Sequence, residues 1–220
     1  MEQLINRILD ILLTLPVILI ALSVHEMMHG YAAYRLGDPT AKYMGRLSMN
    51  PLRHIDPIGF ISLLVFRIGW AKPVSVDPRY FKKPKRDMAL TALAGPLSNF
   101  ALAFLSSFLY VFLYGLGIRH QLFGATPTPY YFLVTMAGYM VSINLGLGVF
   151  NLIPVPPLDG SKILYAFLPY QVLYKIAPYE RYFQFVMILL LALGILSTPI
   201  HAVVSVIYRV FITIAQGVIL

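Results

Sequence analysis

Cysteine is absent from the 220 residues, so no disulfide can form and no thiolate can bind a metal. Any metal site must draw on histidine, aspartate or glutamate. Acid is scarce as well: nine Asp and Glu stand against 17 Lys and Arg, and charged residues make up only 12% of the chain. That is about half the share of an ordinary soluble domain. Tryptophan occurs once, whereas there are 15 tyrosines, which suit membrane interfaces. What is abundant is apolar: 59% of the residues are hydrophobic and the mean hydropathy is +0.75. The expectation is one integral-membrane domain over residues 1–220, with little room for anything else.

The net charge of +8 raises nucleic acid as a partner, but its distribution argues for topology. Eleven of the 17 basic residues lie between Arg35 and Asp87 with only four acids, leaving +7 of the total in that loop. The positive-inside rule puts this loop on the cytoplasmic face, and no nucleic-acid partner is expected. Five spans follow, with four or six as alternatives: 8–34 running inward, 88–117 outward, 130–152 inward, 183–196 outward and 200–219 back. The last two are marginal, because 183–196 is short and Arg209 interrupts the final one. Gly124, Pro127 and Pro129 mark an outer turn, and residues 197–199 mark another. Between the first two full spans, 42–49 has strand character. The apolar stretch 58–68 is too short to cross and reads as re-entrant, tolerable only against protein or a wet cavity. The fold class is therefore an all-α membrane protein, a multi-span helical bundle with a short β/re-entrant segment.

Within the first span, residues 25–29 read His-Glu-Met-Met-His. Polar groups are costly in hydrocarbon and mark function there. Helical positions i and i+4 share a face, so His25 and His29 can bind one Zn²⁺, with Glu26 as general base on the attacking water. The span carries the motif, so it is expected to be retained rather than cleaved as a signal. A second constellation, Asn151-Leu-Ile-Pro-Val-Pro-Pro-Leu-Asp159-Gly160, follows the third span. Its three prolines bar a regular helix, and a carboxylate beside the bilayer needs a partner, for which a metal serves well. By topology Asp159 and the His25–His29 helix end share one side. Two histidines and one carboxylate with an open fourth position form a catalytic zinc arrangement. The alternative is that Asp159 only caps a helix starting at Ser161.

Together these segments resemble the site-2 proteases, zinc metalloproteases that cleave proteins within or near the membrane. The matching residues are 25–29, Ala94-Gly95-Pro96-Leu97-Ser98-Asn99 and 151–160; residues 50–59 and 69–74 resemble the compact bacterial branch without PDZ or CBS domains. The likeness covers about 15–165, within a catalytic core of about 8–165; the final helices, about 183–219, carry no legible motif. The resemblance implies that His25, His29 and Asp159 bind zinc and that Glu26 is the base. It also implies that Asn151 steadies the substrate carbonyl. Substrates would be transmembrane proteins in a cell-membrane bilayer, cut near the cytoplasmic side.

Asn99 reads as a packing residue with a site-adjacent role, while His54 is as readily structural as site-adjacent. Two rivals stand beside a protease. A transporter should show an internal repeat, and none is visible. An inactive metal-binding scaffold should lack a ligand or the base, and all four residues are present.

Overall fold

The computed structural model describes residues 1–66, 69–123 and 128–219, and among these the backbone forms helices and no strand. In chain order the helices are α1 (Glu2–Arg35), α2 (Thr40–Tyr43), α3 (Pro57–Phe66), α4 (Pro84–Arg119) and α5 (Pro129–Asn151). After these come α6 (Asp159–Tyr165), α7 (Tyr170–Ile176), α8 (Glu180–Ala192) and α9 (Ser197–Ile219). Four of them, α1 from Ile8 onward, α4, α5 and α9, are long and apolar enough to cross a membrane.

The fifth span expected at 183–196 is not among them. α8 holds 13 residues, about 20 Å of helix against about 30 Å of hydrocarbon. Gly194, at φ +71°, turns the chain out of the helix, with Gly194 N–H donating to Leu191 O and Ile195 N–H to Leu190 O. In α9, Arg209 Nε donates to Ser205 O at 3.2 Å, so its own helix helps accommodate the guanidinium.

The strand expectation for 42–49 also fails. Asp38 Oδ1 accepts from the amide and hydroxyl of Thr40, at 2.9 and 2.5 Å, and this local bonding starts the turn of α2 instead. Ladder formation nearby is limited by Pro51, Pro57, Pro73 and Pro78, which offer no N–H. The β pairing present is an isolated antiparallel bridge between Ile55 and Ala71. The stretch expected to be re-entrant forms α3, whose 10 residues rise about 15 Å. Residues 67 and 68 of that stretch, and Gly124 and Pro127 of the outer turn, lie outside the described residues.

α4 is the central helix: it packs along α1 and α5, takes α6 against its first half, and shares α9 with α5. Ala103, Val141 and Leu145 form the buried core, with Phe100, Val204, Ile207 and Phe211 packed around them. Small residues at Ala103, Ser106 and Ser107 let the helices approach closely. This packing leaves the second half of α1, the first third of α4, the end of α5 and the start of α6 meeting at one place. The polar motifs at 25–29, 94–99 and 151–160 belong to that junction.

Candidate metal centre

His25 and His29 project from one face of α1, and Asp159 opens α6 under them. Asp159 is the first residue of α6, whose N-cap is Leu158; its Oδ2 lies 3.1 Å from Nε2 of both histidines, whose Nε2 atoms are 2.9 Å apart. All three residues are buried. Ligands about 2.0 Å from a tetrahedral ion would stand roughly 3.3 Å apart, close to the observed spacing.

The hydrogen bonds outside this triangle decide what it can hold. His29 Nδ1 lies 2.8 Å from Thr91 O, a carbonyl that can only accept, so Nδ1 carries the proton. His25 Nδ1 lies 2.6 Å from Asn99 Oδ1. The orientation of that amide is fixed from its other end, where Nδ2 donates to Ala21 O at 3.3 Å and to Asn144 Oδ1 at 2.8 Å. Asn144 is held in turn by Met140 O, at 2.8 Å. As neutral imidazoles, both rings then turn the lone pair of Nε2 toward each other and toward a carboxylate. Three converging electron pairs repel unless a cation lies between them, so the donor set suits a divalent metal, with each imidazole oriented by a second partner.

Gly95 makes the approach of α4 feasible. A Cβ there would fall on the His29 imidazole and stand 2.7 Å from His25 Cε1. Glu26 lies beside the triangle, and one oxygen of its carboxylate accepts from Val74 N–H at 2.9 Å. The segment carrying Val74 is clamped by Arg46, whose guanidinium donates to the carbonyls of Lys72 and Pro73. Burial pulls the Arg46 guanidinium down from its ordinary value, while the Glu26 carboxylate acts the other way. Asp38 fixes the far end of the segment by accepting from Asp77 N–H at 2.8 Å.

A cavity of about 310 Å³ joins His25, Glu26, His29, Asn151, Asp159 and Lys162. Asn151 reaches it while one amide N–H donates to Leu147 O at 3.0 Å, leaving the second for another acceptor. Asn99 sits behind His25 and is fully buried. His54 is not brought to this cavity: it is buried in the connecting segment, bonded through Nε2 to Ser48 O at 2.7 Å and accepting Lys72 N–H at its carbonyl.

The sequence matches the profile of Peptidase family M50 over residues 13–196. The chain belongs to this family. The match reaches past residue 165 to include α7 and α8, where no motif is legible. The M50 peptidase is 40% identical to YwhC of Bacillus subtilis over 165 residues, 75% of this chain and 73% of that protein. It is 29% identical to Rip2 of Mycobacterium tuberculosis over 201 residues, 88% of this chain and 70% of that protein. Against MJ0611 of Methanocaldococcus jannaschii it is 31% identical over 143 residues, 64% of this chain and 62% of that protein. All three are named as zinc metalloproteases. No solved structure matches the chain. With its four apolar helices, this M50 peptidase is a multi-pass membrane protein and a zinc metalloprotease.

Four partners of the site escape the sequence reading. Asn144 offered a signal, since it lies seven residues before Asn151, two turns along one helix and deep in apolar sequence. Lys162, whose Nζ lies 3.7 Å from Asp159 Oδ1, follows three residues after the aspartate, which is one helical turn. Val74 and Thr91 act through their main chain and leave no side-chain signal.

Proposed function

We propose that the protein is a zinc-dependent intramembrane endopeptidase that hydrolyses transmembrane protein substrates near the cytoplasmic side. The observation that carries this reading is the convergence of His25 Nε2, His29 Nε2 and Asp159 Oδ2 within 4.8 Å, in the cavity that Glu26 also lines. In this reading the two histidines and Asp159 hold zinc. Bound there, the ion supplies a Lewis acid that polarises the scissile carbonyl and brings the pKa of water toward about 7. Glu26 takes the proton of the attacking water and delivers it to the leaving nitrogen, kept in place by Val74 N–H. Asn151 donates its free N–H to the carbonyl oxygen as charge develops. Asn99 and Thr91 hold the imidazoles, whereas His54 supports the connecting segment.

The basic residues of 35–87 favour a cytoplasmic position for this end of the bundle. α3 then dips into the same leaflet as a re-entrant segment. A substrate helix conceals its carbonyls in its own hydrogen bonds and must unwind before cleavage. Residues 72–76, which run without helix beside Glu26, take the place of the edge strand against which the opened substrate pairs. The whole chain acts as one membrane domain, with α9 completing the packing of the catalytic core.

A pair of variants tests the assignment. Glu26→Gln should keep zinc and lose nearly all cleavage of a transmembrane substrate, because an amide cannot accept the proton. Asp159→Ala should lose zinc and activity together. Wild-type cleavage by the first, or full zinc affinity in the second, would refute the corresponding role.

A further inference from the structure

A crevice that shares no residue with the metal cavity opens where the start of α4 meets α6 and α7. Its volume is about 550 Å³, within the range of small-molecule sites. Lys83, Lys85 and Arg86 line one end. The acid that follows them is already engaged: Asp87 is buried, with Oδ1 at 2.7 Å from Arg86 Nη2 and Oδ2 accepting the Lys83 amide at 2.9 Å. Lys85 donates to the Leu168 carbonyl and lies 3.8 Å over the Tyr170 ring, which ties the basic end to α7. Away from the charges the lining turns apolar, with Leu90 and Leu93 from α4 and Ile163 from α6. Phe167 stands at its lip, 81% exposed.

The geometry points to a binding site for an acidic phospholipid, its phosphate among Lys83, Lys85 and Arg86 and an acyl chain along Leu90, Leu93 and Phe167. Charge and grease follow each other along the helix in the order a lipid presents them. From Lys83 to Leu93 α4 rises about 15 Å, the depth of one leaflet of a roughly 30 Å hydrocarbon core. Basic pockets between spanning helices suit such headgroups, and a tyrosine at the rim suits the interface. A water-borne acidic peptide would gain nothing from an apolar wall that descends into the bilayer. The occupant also braces α6 against α4, and α6 begins at Asp159. Lipid and metal site thus share one short helix.

The test uses the full chain in detergent micelles, with dioleoylphosphatidylglycerol as probe and dioleoylphosphatidylcholine as its zwitterionic counterpart. Retained lipid is counted by native mass spectrometry, and affinity is read from the shift in melting temperature. Phosphatidylglycerol should be retained in preference and should raise the melting temperature. Lys83→Gln should weaken its binding about fivefold, the effect of one basic group near an acidic headgroup. Ala166→Trp and Leu93→Trp each fill the crevice without altering charge, and at least one that keeps the wild-type melting temperature without lipid should lose binding tenfold or more. Arg181→Gln, an exposed cation elsewhere, should change nothing. Equal retention of phosphatidylcholine would overturn the proposal, as would full binding by a well-folded filled variant or an equal loss in Arg181→Gln. Saturation of the effect by inorganic phosphate would make the site a simple anion site. Saturation by a soluble oligo-glutamate peptide would make it a protein-docking surface, and either result excludes the lipid.

Discussion

Gly95→Ala adds one methyl group to α4 and should cost the protein its metal. At an ordinary helical position the change stabilises by up to about 1 kcal/mol, since glycine is the poorer helix former. Here the new carbon would stand 2.7 Å from His25 Cε1 and fall on the His29 ring. A carbon contact of about 3.5 Å requires His25 to retreat by roughly 0.8 Å, and His29 by more. Neither ring is free to do so, because each Nδ1 is held, at 2.6 Å by Asn99 and at 2.8 Å by Thr91. Either those bonds break or α4 moves off α1. Overpacking of this kind costs about 1–3 kcal/mol, and disturbing the partners of ligating histidines lowers metal affinity by about 10–100-fold. Displacement of about 1 Å also costs about 100-fold in turnover. Zinc affinity is to be measured by chelator competition, cleavage on a transmembrane substrate, and melting temperature on the same preparations. Gly146→Ala in α5 is the control, since a Cβ there meets nothing within 4 Å, and it should bind zinc as the wild type does. If Gly95→Ala retains wild-type zinc affinity and turnover, the imidazoles are not confined as described.

Three further outcomes follow from the same geometry. Asn151→Asp replaces the free N–H with an acceptor, so turnover should fall by about 10²-fold with zinc content unchanged; joint loss of zinc and thermal stability would show a structural asparagine instead. Arg46→Ala releases the carbonyls of Lys72 and Pro73 and loosens Val74 N–H on Glu26, so cleavage should fall while zinc is retained; unchanged kinetics would remove the clamp from the mechanism. Single cysteines at Lys83 and Gln121, at opposite ends of α4, should label from opposite sides of the membrane, with Lys83 reached from the cytoplasm, and labelling of Lys83 from outside would reverse the orientation.

The chemistry of the site was more legible in the sequence than its support. His25 and His29 announce themselves by a spacing that any helix converts into one face, and Asp159 by its place after three prolines on the same side of the bilayer. The residues that make the donors fit for a metal act at longer range. Asn99 reaches His25 across 74 positions, and Asn144 reaches Asn99 across 45, so no local spacing reveals either bond. Gly95 appears in the sequence as one small residue among several, and its role depends on two rings approaching from another helix. The errors were local conflicts between pattern and competing bonds. Residues 42–49 have the short, mixed character of a strand, yet the Asp38 carboxylate offers Thr40 a nearer partner than any neighbouring strand could. Hydropathy joins Phe183 to Leu196, whereas Gly194 stops α8 before it reaches spanning length.

The proposed ligands and the groups that orient them come from different helices, and this couples metal binding to the assembly of the bundle. His25 and His29 belong to α1 and Asp159 to α6, while their partners Thr91 and Asn99 belong to α4 and Asn144 to α5. In lipid the hydrophobic effect contributes little to helix association, so close packing and interhelical hydrogen bonds must fix the arrangement. The chain Met140 O–Asn144–Asn99–His25 crosses three spans in three hydrogen bonds. A slip of α4 against α1 would break it and return a lone pair to His25 Nδ1 at the expense of Nε2. The reverse also holds by linkage: an ion that binds only the assembled triangle stabilises that assembly by its own binding free energy. Without the ion, the donors from α1 and α6 lose the cation that joins them. A zinc ion held by the proposed ligands would be a structural partner of the four helices as well as the source of the chemistry.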